Sequence, residues 1–178
     1  MRRVVRPLIR FIEFRIIHID DSPKRIAMGV ALGLSLAWLP LIGLQMLVAF
    51  GLSFILKANK FVSMVFVWVS NPFTIPFIYI PNFLVGRAIL KKLGCDVMTI
   101  QELKEALGPV DSFGLFFRSF FSLEFWQRLF SLMWNHGGEL WLGSFIMASL
   151  IGFAAYFTSY HLIVRHRQKH PHKRHLKH

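Results

Sequence analysis

Residues 26–56 read IAMGVALGLSLAWLPLIGLQMLVAFGLSFIL, 31 consecutive positions without an Asp, Glu, Lys or Arg. Two further windows are equally bare: Phe61–Gly86, with 26 residues, and Leu140–Val164, with 25. A bilayer core of about 30 Å is spanned by roughly 20 helical residues, so each window is long enough to cross. The whole chain has 178 residues, 54% of them hydrophobic, with 21 Lys+Arg against 9 Asp+Glu, a net charge of +12 and a mean hydropathy of +0.50. Its 19 Phe exclude intrinsic disorder. Basicity alone would suit a nucleic-acid module, but the apolar content does not, and no nucleic-acid partner is expected. The single Cys95 allows no intramolecular disulfide and no Cys-based metal site. These features predict an all-α integral membrane protein with its charge at the edges. A soluble bundle of wholly buried helices is the alternative.

The first two windows are not plain spans. Asp21 or Ser22 can cap a helix that has Pro23 in its first turn. That helix meets Pro40 after the 17 residues Pro23–Leu39, about 25 Å at ~1.5 Å per residue. Pro40 is followed by Gly43 and Gln45, and Leu41–Leu56 is shorter still. The second window carries Ser70-Asn71-Pro72-Phe73-Thr74-Ile75-Pro76 and then Pro81-Asn82, which no single regular helix accommodates. In hydrocarbon, freed backbone groups persist only where they are buried in protein or line a polar cavity. Both windows therefore read as helix–break–helix units, re-entrant or discontinuous, with Pro40, Gly43, Pro72 and Pro76 as the break or hinge positions.

The third window has no proline and reads as one regular C-terminal transmembrane helix. Small residues recur every four positions in it, at Ser144, Ala148 and Gly152, and in the first helix at Gly29, Gly33 and Ala37. Such stripes let helices approach closely, and packing is their expected role. Acidic residues Glu13, Asp20 and Asp21 interrupt the Arg-rich start, so it does not read as a signal peptide, and the first window is expected to stay in the mature chain.

Charge partition gives an orientation. Seven basic and three acidic residues precede Ile26, six basic and no acidic follow Val164, and Arg87–Glu139 holds six of each. The positive-inside rule then puts both termini in the cytoplasm and requires an even number of crossings. In the preferred solution Ile26–Leu56 is a hairpin, Phe61–Gly86 a broken crossing and Leu140–Val164 the return. The cluster Arg87, Lys91 and Lys92 opposes it, and the rival solution makes both broken windows hairpins and leaves the basic tail outside. Between the last two windows, Thr99-Ile-Gln-Glu102 is a capping box with Gly108-Pro109 as its stop, predicting a short surface helix over about 100–107. Glu124, Gln127, Arg128, Ser131 and Asn135 form a polar stripe on an aromatic-rich helix over 123–135. That helix lies in the membrane interface or packs on the protein itself. The expected layout is a basic segment 1–22, a broken core 23–95, a loop region 96–138, a transmembrane helix 139–164 and a basic, His-rich tail 165–178.

Taken in order and spacing, Ser22-Pro23, Ile26-Ala27, Gly29, Ala31, Gly33, Pro40, Gly43, Gln45, Asn59 and Asn71-Pro72-x-Thr74-x-Pro76 resemble the bacterial domain-of-unknown-function family 2062. The resemblance covers about residues 20–95 and extends less distinctly to the third window. It implies a small bacterial inner-membrane protein whose relatives can be joined to glycosyltransferase-type domains, hence a link to envelope glycan or lipid chemistry. It implies no activity.

The residues themselves offer two candidate sites. Gln45, Asn71, Thr74 and Asn82 are polar positions inside charge-free windows, where helix N-termini freed by the breaks would face a substrate or cavity. The preferred alternative is structural: Asn71 caps the helix after Pro72, and Gln45 serves carbonyls orphaned by Pro40. Without a membrane-embedded Asp, Glu or Lys, no ion-driven relay is expected. The second candidate is the set of basic residues Lys57, Lys60, Arg87, Lys91, Lys92, Arg165, Arg167, Lys169, Lys173, Arg174 and Lys177, read as contacts to anionic lipid headgroups. Five His interleave with the tail cations, but the surrounding charge disfavours a metal, so no metal or cofactor is expected. No catalytic motif is found, and no enzyme is expected. Two functions follow: a transporter or flippase for an anionic lipid or lipid-linked envelope precursor, or a structural or accessory protein binding an envelope-biosynthesis partner. A homo-oligomer would serve either.

Overall fold

Ser22 sets the start of the first helix. Its hydroxyl accepts from the Arg25 amide at 3.3 Å, and Pro23 fills the first turn, where no N–H is needed. The computed structural model describes residues 21–41, 43–71, 73–99, 101, 122–124, 127, 128, 131 and 137–169. Among these residues there are five helices and no strand: α1 (Pro23–Ala37), α2 (Gln45–Ile55), α3 (Lys60–Val67), α4 (Ile75–Lys92) and α5 (Gly137–Lys169). The chain divides into two compact units, residues 1–74 with 147–178, and residues 75–146.

In the first unit α1 and α2 form a helical hairpin. The chain leaves α1 through the turn 38–44 and comes back along α2, so that the carbonyl of Lys57 accepts from Arg25 Nε at 3.1 Å. The interior of this hairpin is Leu32, Leu36, Ala49, Ala58 and Val67, flanked by Met28, Val48 and Leu52. Next, α3 runs parallel to α1 and nearly touches it. A methyl group at Gly29 would lie 2.8 Å from the Asn59 carbonyl, and one at Gly33 would run into the Ser63 carbonyl. The stripe of small residues on α1 therefore faces α3, with Ala37 buried at its end. Antiparallel to α1 lies the second half of α5. Ser35 Oγ donates to the Ala148 carbonyl at 3.0 Å, Gly152 sits against Ser35, and Ile163 packs with Ile26, Val30 and Val62.

The second unit is built on α4 and the start of α5, which approach through reciprocal glycines. A Cβ at Gly86 would collide with the Glu139 carbonyl, and one at Gly143 with the Asn82 carbonyl. Neither glycine belongs to the stripe read from the sequence, although Ser144, next to Gly143, does.

Three boundaries differ from the sequence expectation. The break in the second window ends at Thr74, and Pro81 lies inside α4, which continues to Lys92. A proline there removes one ladder hydrogen bond and leaves the rest of the helix intact. Pro76 is the second residue of α4 and not part of the turn, a position where the missing N–H costs nothing. The third helix runs unbroken for 33 residues from Gly137 to Lys169, beyond both ends of the 139–164 span read from the sequence. Apart from Gln101, the surface helix over 100–107 lies outside the described residues, as do Phe125, Trp126, Leu129, Phe130 and 132–136 of the helix over 123–135, residues 1–20, Pro72 and the tail from residue 170. Of the polar stripe, Glu124 and Arg128 form an exposed pair at 3.9 Å.

The glycine contacts make opposite demands on two substitutions. Gly86→Ala should lower thermal stability by about 1–3 kcal/mol, because the helices must separate. Gly51→Ala, on an exposed face of α2 with nothing near its Cβ, should raise it by about 0.5–1 kcal/mol. Thermal unfolding of the two variants beside the parent protein checks both signs.

Candidate functional site

The two breaks have the same backbone course. α1 ends at Ala37 and α3 at Val67, Trp38 and Trp68 cap them, and α2 and α4 begin at Gln45 and Ile75, so every boundary recurs 30 residues later. Backbone bonds recur with the same offset. Trp38 N donates to Ser35 O and Trp68 N to Val65 O, both at 3.2 Å; Leu44 N donates to Leu41 O at 3.0 Å and Thr74 N to Asn71 O at 2.9 Å. The turns differ in how they are closed. The first uses Gly43 at φ +85°, a left-handed conformation that suits glycine. The second uses side chains: Asn71 Oδ1 accepts from the amides of Phe73 and Thr74, and Thr74 Oγ1 accepts from the Asn71 amide at 2.9 Å. That reciprocal pairing is a capping box at the entry to α4.

A single side chain joins the turns. Gln45, buried at the start of α2, donates from Nε2 to the Leu39 carbonyl at 2.9 Å. Its Oε1 accepts from Ser70 Oγ at 2.6 Å. Leu39 precedes Pro40, which contributes no N–H, and Ser70 precedes Asn71 in the second turn. The Gln45 amide thus satisfies backbone in its own turn and reaches the other. Deeper between α2 and α3, the buried hydroxyls of Ser53 and Ser63 meet at 2.6 Å, and Ser53 is 2.6 Å from the Ala49 carbonyl.

At the opposite end of the same unit the hairpin is closed by charge. Asp21 pairs with Arg25 at 3.2 Å and accepts from Asn59 Nδ2 at 3.0 Å. Asn59 caps α3 through Oδ1, which accepts from the Val62 amide at 3.0 Å, and its own amide donates to the Arg25 carbonyl at 2.9 Å. Asp21 thereby places a negative charge beside the N-termini of two parallel helices, where the helix dipoles favour it. Lys57 and Lys60 flank this end, and Lys60 Nζ sits 3.5 Å from the centre of the Phe54 ring. Arg165 lies just beyond Ile163 on α5, exposed at the same end of the unit.

The second unit holds the remaining candidates. Asn82 is fully buried and donates from Nδ2 to Ser144 Oγ at 2.9 Å. Buried Glu139 accepts from the Met98 amide at 2.8 Å, while Arg87 Nε donates to the Met98 carbonyl at 2.6 Å. Arg87 and Glu139 thus hold the backbone of Met98 at its carbonyl and its amide, so the guanidinium of Arg87 is engaged within the protein. Lys91 and Lys92 are exposed in the last turn of α4.

These turns and clasps coincide with the motif residues quoted from the sequence, and the match is wider than those motifs. Residues 7–172 fit the model of domain-of-unknown-function family 2062, described as "Uncharacterized protein conserved in bacteria". The chain belongs to this family. No curated protein and no solved structure matches it. For this member of family 2062, the structure brings Gln45, Asn71 and Thr74 into the paired turns with Pro40 and Gly43, and puts Asn82 with Ser144 in the other unit. Arg167 is half-buried on α5, Lys169 is its last residue, and Lys173, Arg174 and Lys177 lie outside the described residues. Sequence reasoning overlooked Ser70, the Asp21–Asn59 bond, Glu139 and the glycines 86 and 143. The four-residue spacing of Asn82 and Gly86, matched by Glu139 and Gly143, was the available signal for the last pair.

The bond between the turns predicts coupling. Gln45→Ala should cost about 1–3 kcal/mol, since the Leu39 carbonyl and the Ser70 hydroxyl lose a partner. In a double-mutant cycle with Ser70→Ala, the two changes should fall short of additivity by about 0.5–1.5 kcal/mol. Chemical or thermal unfolding of the four proteins reads this directly.

Proposed function

We propose that this chain is a non-enzymatic integral protein of the bacterial inner membrane, acting as a lipid-held accessory that binds an envelope-biosynthesis partner. One observation carries the membrane reading: bulky apolar side chains cover the outside while several polar ones are buried. Gln45, Ser53, Ser63, Asn82 and Ser144 are buried, whereas Leu47 is 70% exposed, Ile55 76%, Phe77 72% and Phe153 69%. A water-soluble fold of this size does not leave so much bulky apolar surface uncovered. Lipid covers it at no cost, and polar side chains then belong inside.

The lengths support the same reading. At about 1.5 Å per residue, α1, α2 and α3 are too short to cross about 30 Å of hydrocarbon, and α5 is long enough. The hairpin α1–α2 therefore enters the bilayer from the end that carries Lys24, Lys57 and Arg165 and returns to it. That end faces the cytoplasm by the positive-inside rule, together with both termini. α5 makes the regular crossing, and the second broken window makes the other.

A transporter or flippase for an anionic lipid is the second reading, favoured by the paired turns that would meet within the apolar layer. The accessory reading ranks above it because Gln45, Ser70, Asn71 and Thr74 already bond to one another and to backbone. Variants decide between the two: Asn71→Ala in a folded protein leaves genetic complementation intact if the protein is an accessory, and abolishes it if the turns carry substrate.

The topology is tested by labelling. In a Cys95→Ser background, Lys24→Cys, Lys57→Cys and Arg165→Cys should react with a membrane-impermeant maleimide in inverted vesicles and stay unreactive in intact spheroplasts. Reaction of any one from the periplasmic side contradicts the orientation.

A further inference from the structure

The turn that closes the base of the hairpin places a lysine where a helix end calls for glycine. At the end of α2 the Ala58 amide donates to the Ser53 carbonyl at 3.0 Å and the Lys57 amide to the Phe54 carbonyl at 3.4 Å. This is the Schellman arrangement, with Lys57 in the left-handed position. Its φ is +52°, and no other non-glycine among the described residues has a positive φ. The end of α4 is built the same way with the expected residue. There the Cys95 amide donates to Leu90 O at 3.1 Å, the Gly94 amide donates to Lys91 O at 3.2 Å, and Gly94 has φ +77°. One chain thus uses glycine at one such end and accepts a strained lysine at the other.

The strain is not relieved elsewhere. Arg25 Nε holds the Lys57 carbonyl, and Ala58 beside it is fully buried, so the backbone stays left-handed. The Lys57 side chain is exposed and has no acidic partner among the described residues. Neighbouring cations are differently committed: Arg25 pairs with Asp21, and Lys60 lies over the Phe54 ring. Lys24 and Arg165 are exposed at the same end, and neither pairs with an acid among the described residues.

We propose that Lys57, with Lys24 and Arg165 exposed at the same end of the unit, binds the phosphate of an anionic ligand there. The ligand class is a phosphate mono- or diester, met either as a phospholipid headgroup or as a free anion. This rests on the reading of that end as the cytoplasmic membrane face, where each basic residue near anionic lipid adds favourable binding.

The test exploits opposite signs. The full chain in neutral detergent is melted alone, with phosphatidylglycerol, with phosphatidylcholine and with inorganic phosphate. The wild type should gain thermal stability from phosphatidylglycerol and none from phosphatidylcholine. Lys57→Gly should melt higher than wild type without ligand, by about 2–4 °C, as the left-handed strain is released. It should also lose at least half of the phosphatidylglycerol increment, while Lys57→Arg keeps it. A matching increment from inorganic phosphate assigns the site to a free anion; its absence beside a lipid increment assigns it to headgroups. No increment in the wild type, or an unchanged increment in Lys57→Gly, overturns the proposal. The maleimide labelling of Lys57→Cys fails independently of this, so a wrong topology and a wrong ligand are told apart.

Discussion

A helix that stops short leaves backbone groups to be satisfied in the turn that follows, and the first unit depends on how its two turns meet that demand. The Gln45 amide is the central answer. It accepts from Ser70 at 2.6 Å and donates to the Leu39 carbonyl at 2.9 Å, so both interruptions are served by one side chain. Because the bond joins the two turns, it also fixes α2 against α3, and the buried Ser53–Ser63 contact lies further along the same seam. Burying a polar group costs several kcal/mol unless it is paired, which makes partial versions of this arrangement unfavourable. With the turns fixed at one end, the Asp21–Arg25–Asn59 clasp closes the other. α1, α2 and α3 can therefore be short without being loose.

Local chemistry was legible from the sequence wherever a rule acts over a few residues. The start of α1 at Ser22-Pro23, its stop before Pro40 and the interruption at Asn71-Pro72 all follow from caps and missing amides. The capping role read for Asn71 appears in the bonds from Phe73 and Thr74, and the service of Gln45 to its own turn appears in the bond to Leu39. The partner at Ser70 was not legible, because it depends on two turns meeting in space. Pro81 was read as part of a break because proline opposes helices in general. Its neighbours in α4 nonetheless keep their ladder. The left-handed Lys57 leaves no mark in composition or period; only the backbone reveals it.

The two ends of the first unit divide the labour of the chain. Its base carries the exposed cations Lys24, Lys57 and Arg165, with Lys60 and the Asp21–Arg25 pair, at the end where anionic headgroups would lie in the proposed orientation. Its turns carry polarity without charge. In the second unit, the glycine-to-carbonyl contacts of α4 with α5 and the Asn82–Ser144 bond make a tight seam of the kind that lipid-embedded helices use in place of a hydrophobic driving force. Membership of family 2062 places the chain in bacteria and leaves its chemistry to these residues.

The central claim, that the paired turns lie within the bilayer, is tested most directly by depth measurement. Spin labels replacing Leu44 and Phe73, both exposed beside the turns, and Lys57 at the base would be compared by power-saturation paramagnetic resonance in liposomes. The two turn labels should sit at similar depth, relaxed by oxygen far more than by a water-soluble nickel complex, with Lys57 showing the reverse. Turn labels as accessible to nickel as the label at Lys57 would contradict the account.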